Sequence, residues 1–232
     1  MKSNASSHHG PKGSSKGRIL LGQSVVRGFE GHAVGDRPKL HLPAIAVLGR
    51  SNVGKSSLLN ALLKTQIARV SQTPGRTQAL FWYRVDGRFD VVDCPGYGYA
   101  KTAKDKRAHF SEQIDDVLSG ERPVNCVLLL VDGRLDPQES DRSMALYLEE
   151  LGMPTIVAAT KWDGVKPSQR VKQLRSLTGE YARSIRTLQP VSSETGENLE
   201  TLGRAVLALI KEASTGSPAQ ETVPHLDPQE EE

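Results

Sequence analysis

Gly49-Arg50-Ser51-Asn52-Val53-Gly54-Lys55-Ser56 is the stretch on which the fold turns. It satisfies G-x-x-x-x-G-K-[ST] at every fixed position, and its flanks are those the pattern needs. Ala44-Ile45-Ala46-Val47-Leu48 leads in as a buried strand, and Leu58, Leu59, Leu62 and Leu63 lead out at helical spacing. The glycines let backbone N–H groups converge on an anion, and the positive end of the following helix favours negative charge. Lys55 is expected to reach the β- and γ-phosphates and the Ser56 hydroxyl to bind Mg²⁺. The competing reading, a chance match in a glycine-containing turn, loses ground to these flanks and to the partner motifs downstream.

Working outward, Ala79 to Val85 and Arg88 to Val92 read as two strands joined by Asp86-Gly87, a hairpin signal. Strands at Val124 to Val131, Thr155 to Ala159 and Arg186 to Val191 then alternate with helical patterns. In those helices Met144, Leu148 and Leu151, then Val171, Leu174 and Leu177, then Leu199, Leu202, Val206 and Leu209 are expected to face inward. The fold class implied is α/β: a mostly parallel six-stranded sheet with one antiparallel edge strand and helices on both faces. Residues 18 to 43 read as an extended entry segment, and Lys64 to Gln78 as a mobile loop.

Two further motifs fall at strand ends, where open α/β sheets bind ligands. Asp93-Cys94-Pro95-Gly96 offers a carboxylate that can hold Mg²⁺ through water, and a glycine N–H for a γ-phosphate. By itself D-x-P-G is also a plain turn. Thr160-Lys161-Trp162-Asp163 matches [NT]-K-x-D, in which the Asp accepts from the N1–H and exocyclic amine of guanine. A buried carboxylate left unpaired against the wrong base discriminates strongly. Val191-Ser192-Ser193 precedes Glu194-Thr195-Gly196 and has two readings, a lid on the base or a helix cap before Glu197.

Composition bounds the rest. The chain has 232 residues, 37% hydrophobic and 25% charged, with a net charge of +3, enough for one sizeable domain with tails. Residues 1–17, rich in Ser, Gly, Lys and His, are expected to be a disordered N-terminal tail, residues 18–213 the folded domain, and residues 214–232 an acidic disordered tail. No apolar run approaches a membrane span, and no secretory signal is evident, so a cytoplasmic protein is expected. Cys94 and Cys126 are expected to be free thiols.

Taken together, GRSNVGKSS at 49–57, TPGRTQ at 73–78, DCPGYGYA at 93–100, TKWD at 160–163 and SSETG at 192–196 closely resemble the EngB family of bacterial GTP-binding proteins. That family belongs to the P-loop group, with a Ras-like G domain, that includes TrmE, Era, EngA and septins. The resemblance spans roughly Leu20 to Lys211 and implies GTP with Mg²⁺, with Ser56 and Thr77 as direct metal ligands. It implies that Gly75, Arg76, Thr77, Gln78 and Ala79 form one switch segment and Asp93 to Gly96 the other. Thr160 to Asp163 would then read the base, with Val191 to Ser193 as its lid. The implied function is assembly of the large ribosomal subunit, with a link to cell division and septation.

Where other GTPases place a water-orienting Gln after D-x-x-G, this chain has Tyr97, so slow intrinsic hydrolysis is expected. Lys55, Thr77 and Asn52 are the candidate catalytic residues. Asn52 has two readings: it holds K⁺ against the phosphates, or it merely tolerates the loop's backbone geometry. The basic segment from Lys161 to Arg186, with Lys166, Arg170, Lys172 and Arg175, is either an RNA surface or a solvated face. The expected partner is the large ribosomal subunit or its precursor, met by a monomer with no membrane contact. A nucleotide-gated binding module in which hydrolysis is incidental is the alternative, and an ATP-dependent enzyme is disfavoured by Asp163.

Overall fold

Hydrophobic alternation along the second strand sets the architecture. Within Ala44–Gly49, Ile45 and Val47 point to one side and Ala46 and Leu48 to the other, and all are buried. A strand with both faces buried needs helices on both faces. The computed structural model describes residues 26–31, 42–66, 80–97, 104–120, 123–181 and 186–215. Its strands are β1 (Val26–Gly31), β2 (Ala44–Gly49), β3 (Leu80–Val85), β4 (Phe89–Asp93), β5 (Cys126–Asp132), β6 (Thr155–Thr160) and β7 (Thr187–Pro190). Its helices are α1 (Lys55–Leu63), α2 (Lys104–Ser119), α3 (Glu139–Glu150), α4 (Arg170–Tyr181) and α5 (Leu199–Thr215).

The sheet order is β1-β3-β4-β2-β5-β6-β7. β2, β4, β5, β6 and β7 run parallel, and β3 is antiparallel to β4. The expected six strands and single antiparallel partner are therefore present. One correction applies: a seventh strand, β1, pairs antiparallel with β3, so the antiparallel strand is second from the edge. The entry segment supplies it, because the free edge of β3 offers unpaired N–H and C=O groups that a neighbouring chain satisfies.

α1 and α5 cover one face with Leu58, Leu62, Leu202, Val206 and Leu209. α2, α3 and α4 cover the other with Ile114, Leu118, Leu148, Leu177 and Tyr181. Two expected inward positions are corrected. Val171 is 64% exposed and Leu151 lies at the surface, while Leu174 and Met144 are only partly buried. In α3 the inward face is Asp141, Ala145 and Leu148, so a carboxylate occupies a place that hydropathy assigns to an apolar residue. The expected tail 1–17 and the segment 216–232 lie outside the described residues. So does Gly75 to Ala79, Thr77 included.

Candidate nucleotide site

Five parallel strands end on one rim, at Gly49, Asp93, Asp132, Thr160 and Pro190. Between β2 and α1 the chain turns through Asn52 (φ 65°) and Gly54 (φ 103°), both in the left-handed region where glycine is unstrained and Asn is tolerated. This is the loop that the sequence marks for phosphate. Gly49 is required by space: a Cβ there would stand 2.9 Å from the carbonyl oxygen of Leu130. The Thr160 hydroxyl, buried at the end of β6, lies 2.7 Å from the Val53 carbonyl and 3.0 Å from the Val131 carbonyl. It ties the loop to the sheet.

Lys55 opens α1, and its Nζ donates to the Gly49 carbonyl at 3.3 Å. Burial holds the ammonium below its ordinary value, with Asp93 pulling the other way. Asp93, at the end of β4, is almost wholly buried, and among the described residues its Oδ1 has no hydrogen-bond partner. Desolvation pushes its pKa up to about 6 despite Lys55. A buried, orphaned carboxylate oxygen beside the phosphate lysine fits a hydrated divalent cation. Ser56, partly buried in the first turn of α1, adds a second oxygen donor.

Cys94 to Gly96 lie directly against this loop. The Cys94 N–H donates to the Val47 carbonyl at 3.3 Å, and the Tyr97 N–H to the Gly49 carbonyl at 3.3 Å. In return the Ser51 N–H donates to the Tyr97 carbonyl at 3.1 Å, a parallel bridge between Arg50 and Tyr97 that prolongs the ladder. Gly96 is the point of closest approach, since a Cβ there would lie 2.8 Å from Ser51 Cα. Pro95 and Cys94 are buried. Tyr97 points away from the loop: its ring is buried and its hydroxyl donates to Asp141 Oδ1 at 2.9 Å. Arg50 reaches the same helix, its Nη1 donating to Gln138 Oε1 at 3.2 Å.

The expected base-reading turn follows β6. Lys161 has φ 57°, which aims its side chain back over the phosphate loop, where Nζ donates to the Asn52 carbonyl at 2.6 Å and to Asp132 Oδ2 at 3.0 Å. Asp163 is exposed, and its Oδ1 accepts from the Ser192 hydroxyl at 2.6 Å. Ser192 Oγ also accepts the N–H groups of Glu194 and Thr195, so it fastens a turn of its own. The helix-cap reading is corrected: α5 begins at Leu199, beyond Glu197. Val191 is buried and continues the β6 edge by donating to Ala159 O, and Ser193 is partly buried in the turn.

Trp162 sends its ring into the core against Gly133, leaving only its backbone to the turn. The Arg170 guanidinium sits 6.0 Å from that ring and donates to Trp162 O and to both Glu197 carboxylate oxygens. Arg170 is thus an internal brace, which removes it from the solvent-facing basic set, while Lys172 and Arg175 are exposed. Sequence reasoning missed Asp132, Arg134 and Asp141. Asp132 had one usable signal, its place at a strand's carboxyl end.

The sequence model of the 50S ribosome-binding GTPase family matches residues 44–161. The probable GTP-binding protein EngB of Thermotoga petrophila is 42% identical over 179 residues, 77% of this chain and 92% of that protein. Its counterpart in Gemmatimonas aurantiaca is 40% identical over 177 residues, 76% of this chain and 87% of that protein. A crystal structure of a probable GTP-binding protein EngB superposes with a TM-score of 0.61 at 26% identity, covering 73% of this chain and 99% of that one. At this identity and coverage, this chain belongs to the EngB family of GTP-binding proteins, as a GTPase.

Proposed function

We propose that this GTPase is a Mg²⁺-dependent switch that binds the large ribosomal subunit or its precursor in the GTP state and leaves after slow hydrolysis. The observation that carries the slow step is Tyr97. Its hydroxyl is committed to Asp141, so the residue after Gly96 brings no amide to an attacking water. Ser56 and Thr77 would hold the Mg²⁺, with Asp93 acting through water, and the bound ion would supply positive charge to the phosphates. Lys55 and the loop N–H groups orient the phosphates. Asp163, kept in place by Ser192, selects guanine, and Gly75 to Ala79 close on the γ-phosphate.

The ribosomal role rests on the matching family, described as 50S ribosome-binding. Exposed Lys166, Lys172 and Arg175 supply positive charge for RNA phosphates. The protein acts in the cytoplasm as a monomer, and normal division and septation depend on it through subunit assembly. Co-sedimentation with isolated large subunits in GTP, GDP and no nucleotide is the deciding experiment: retention only with GTP is expected, and nucleotide-independent retention would overturn the switch.

A second reading, a nucleotide-gated binding module, is favoured by the same Tyr97. Single-turnover GTP cleavage separates the two. Acceleration of about 10²-fold or more by large-subunit precursors supports a hydrolytic cycle, and no change supports the module. We further propose that Asn52 helps hold K⁺ at the phosphates; equal turnover in K⁺ and Na⁺ at matched ionic strength would remove that role.

A further inference from the structure

Asp132 closes β5 and lies opposite Thr160 in the parallel register. Its side chain is 11% exposed and meets two cations. Lys161 Nζ donates to Oδ2 at 3.0 Å, and Arg134 forks onto both oxygens, Nε to Oδ1 at 2.9 Å and Nη2 to Oδ2 at 2.8 Å. The Arg134 N–H adds a second bond to Oδ1, at 3.1 Å. A carboxylate gripped by a bidentate guanidinium and its own loop's backbone cannot rotate freely. Although burial opposes ionisation, the Arg134 and Lys161 hydrogen bonds outweigh it and hold the carboxyl below its ordinary range. The same Lys161 ammonium touches the Asn52 carbonyl of the phosphate loop.

We propose that Asp132 is a positioning residue for nucleotide binding: by fixing Lys161 between its own carboxylate and the Asn52 carbonyl, it locks the base-reading turn to the phosphate loop. Three segments distant in sequence, the phosphate loop, the β5 end and the β6 end, are thereby set in one geometry by contacts within the chain. Arg134 is the second part of the device. It steadies Asp132 from one side, and its stem crosses Gly164, where a Cβ would stand 2.7 Å from Arg134 Cδ. Gly164 is therefore the residue that lets Arg134 lie flat along the turn carrying Asp163. Purine selection itself belongs to Asp163 and Ser192, so Asp132 acts on how tightly any purine diphosphate is held, and leaves the choice of base alone.

The inference rests on the assignment of 160–163 as the base-reading turn. Its test is a double-mutant cycle on the full chain with Mg²⁺, measuring Kd for GDP and for inosine diphosphate, which lacks the exocyclic amine. Asp132→Asn should weaken both ligands about tenfold, leaving their ratio unchanged, and Lys161→Met should weaken both at least as much. The double variant should bind no more weakly than Lys161→Met alone, because Asp132 works through that lysine. Additive losses, or a ratio that collapses in Asp132→Asn, would overturn the positioning role. Unchanged binding in Lys161→Met would instead overturn the base-turn assignment. Should Asp132→Asn not fold, Arg134→Gln takes its place: a loss of about threefold that vanishes in the Lys161→Met background supports the proposal, and the same loss in both backgrounds overturns it.

Discussion

Asp141 sits in surroundings unusual for a carboxylate. It is 2% exposed in α3, where burial drives its pKa up to about 6 against the Tyr97 hydrogen bond and the Arg50 charge. The folded chain therefore binds its proton more tightly than the unfolded chain, whose value is 3.8. Stability falls as pH rises between those two values and is level above them, the reverse of a salt-bridged carboxylate. Asp93 adds a slope of the same sign. Denaturant titrations across pH 4 to 7 should show Asp141→Asn losing about 1–3 kcal/mol of that fall, since Asn still accepts from Tyr97 but carries no charge. Tyr97→Phe should cost about 1–3 kcal/mol at pH 7, because it strips a buried carboxylate of its donor. The candidate phosphate, metal and base residues could be named from sequence because the chemistry expected of them needs fixed types at fixed spacing. Asp132 and Asp141 could not, since an isolated Asp acquires meaning only from the register that sets Asp132 beside Thr160 and from the turn that carries Tyr97 to α3.

At the scale of elements, apolar periodicity located α1, α3, α4 and α5, but burial followed what each helix meets. In α5, Leu199, Leu202, Val206 and Leu209 are all buried as the spacing requires. Leu202→Ala should cost about 2–5 kcal/mol by chemical denaturation. Val171→Ser in α4, by contrast, should shift stability by no more than about 0.5 kcal/mol, because that side chain is already in water. β1 was not legible as a strand: Val26-Arg27-Gly28-Phe29-Glu30-Gly31 contains two glycines and two charges and shows no dependable alternation. It becomes one because β3 presents an open edge, with Phe29 opposite Trp82 and Gly31 opposite Leu80. Removing residues 1–31 should speed hydrogen exchange at β3 amides and promote self-association, read by mass spectrometry and light scattering.

For the whole molecule, the rim of five strand ends makes ligand binding and folding stability one linked equilibrium. GDP with Mg²⁺ at a hundredfold excess over Kd should stabilise the chain by about 2.7 kcal/mol, raising Tm by about 5–11 °C, whereas ATP at the same concentration should leave Tm unchanged. A shift with ATP would contradict guanine selection by Asp163. The Thr160 hydroxyl, fastened between the Val53 and Val131 carbonyls, adds a temporal side to this linkage. Since these bonds brace the loop from within the chain, little remains to be arranged on encounter, and capture should run at the pace of diffusion and docking for any guanine nucleotide. Ligands would then be told apart by residence time, so that the clock of the switch is set by departure and by cleavage, never by arrival.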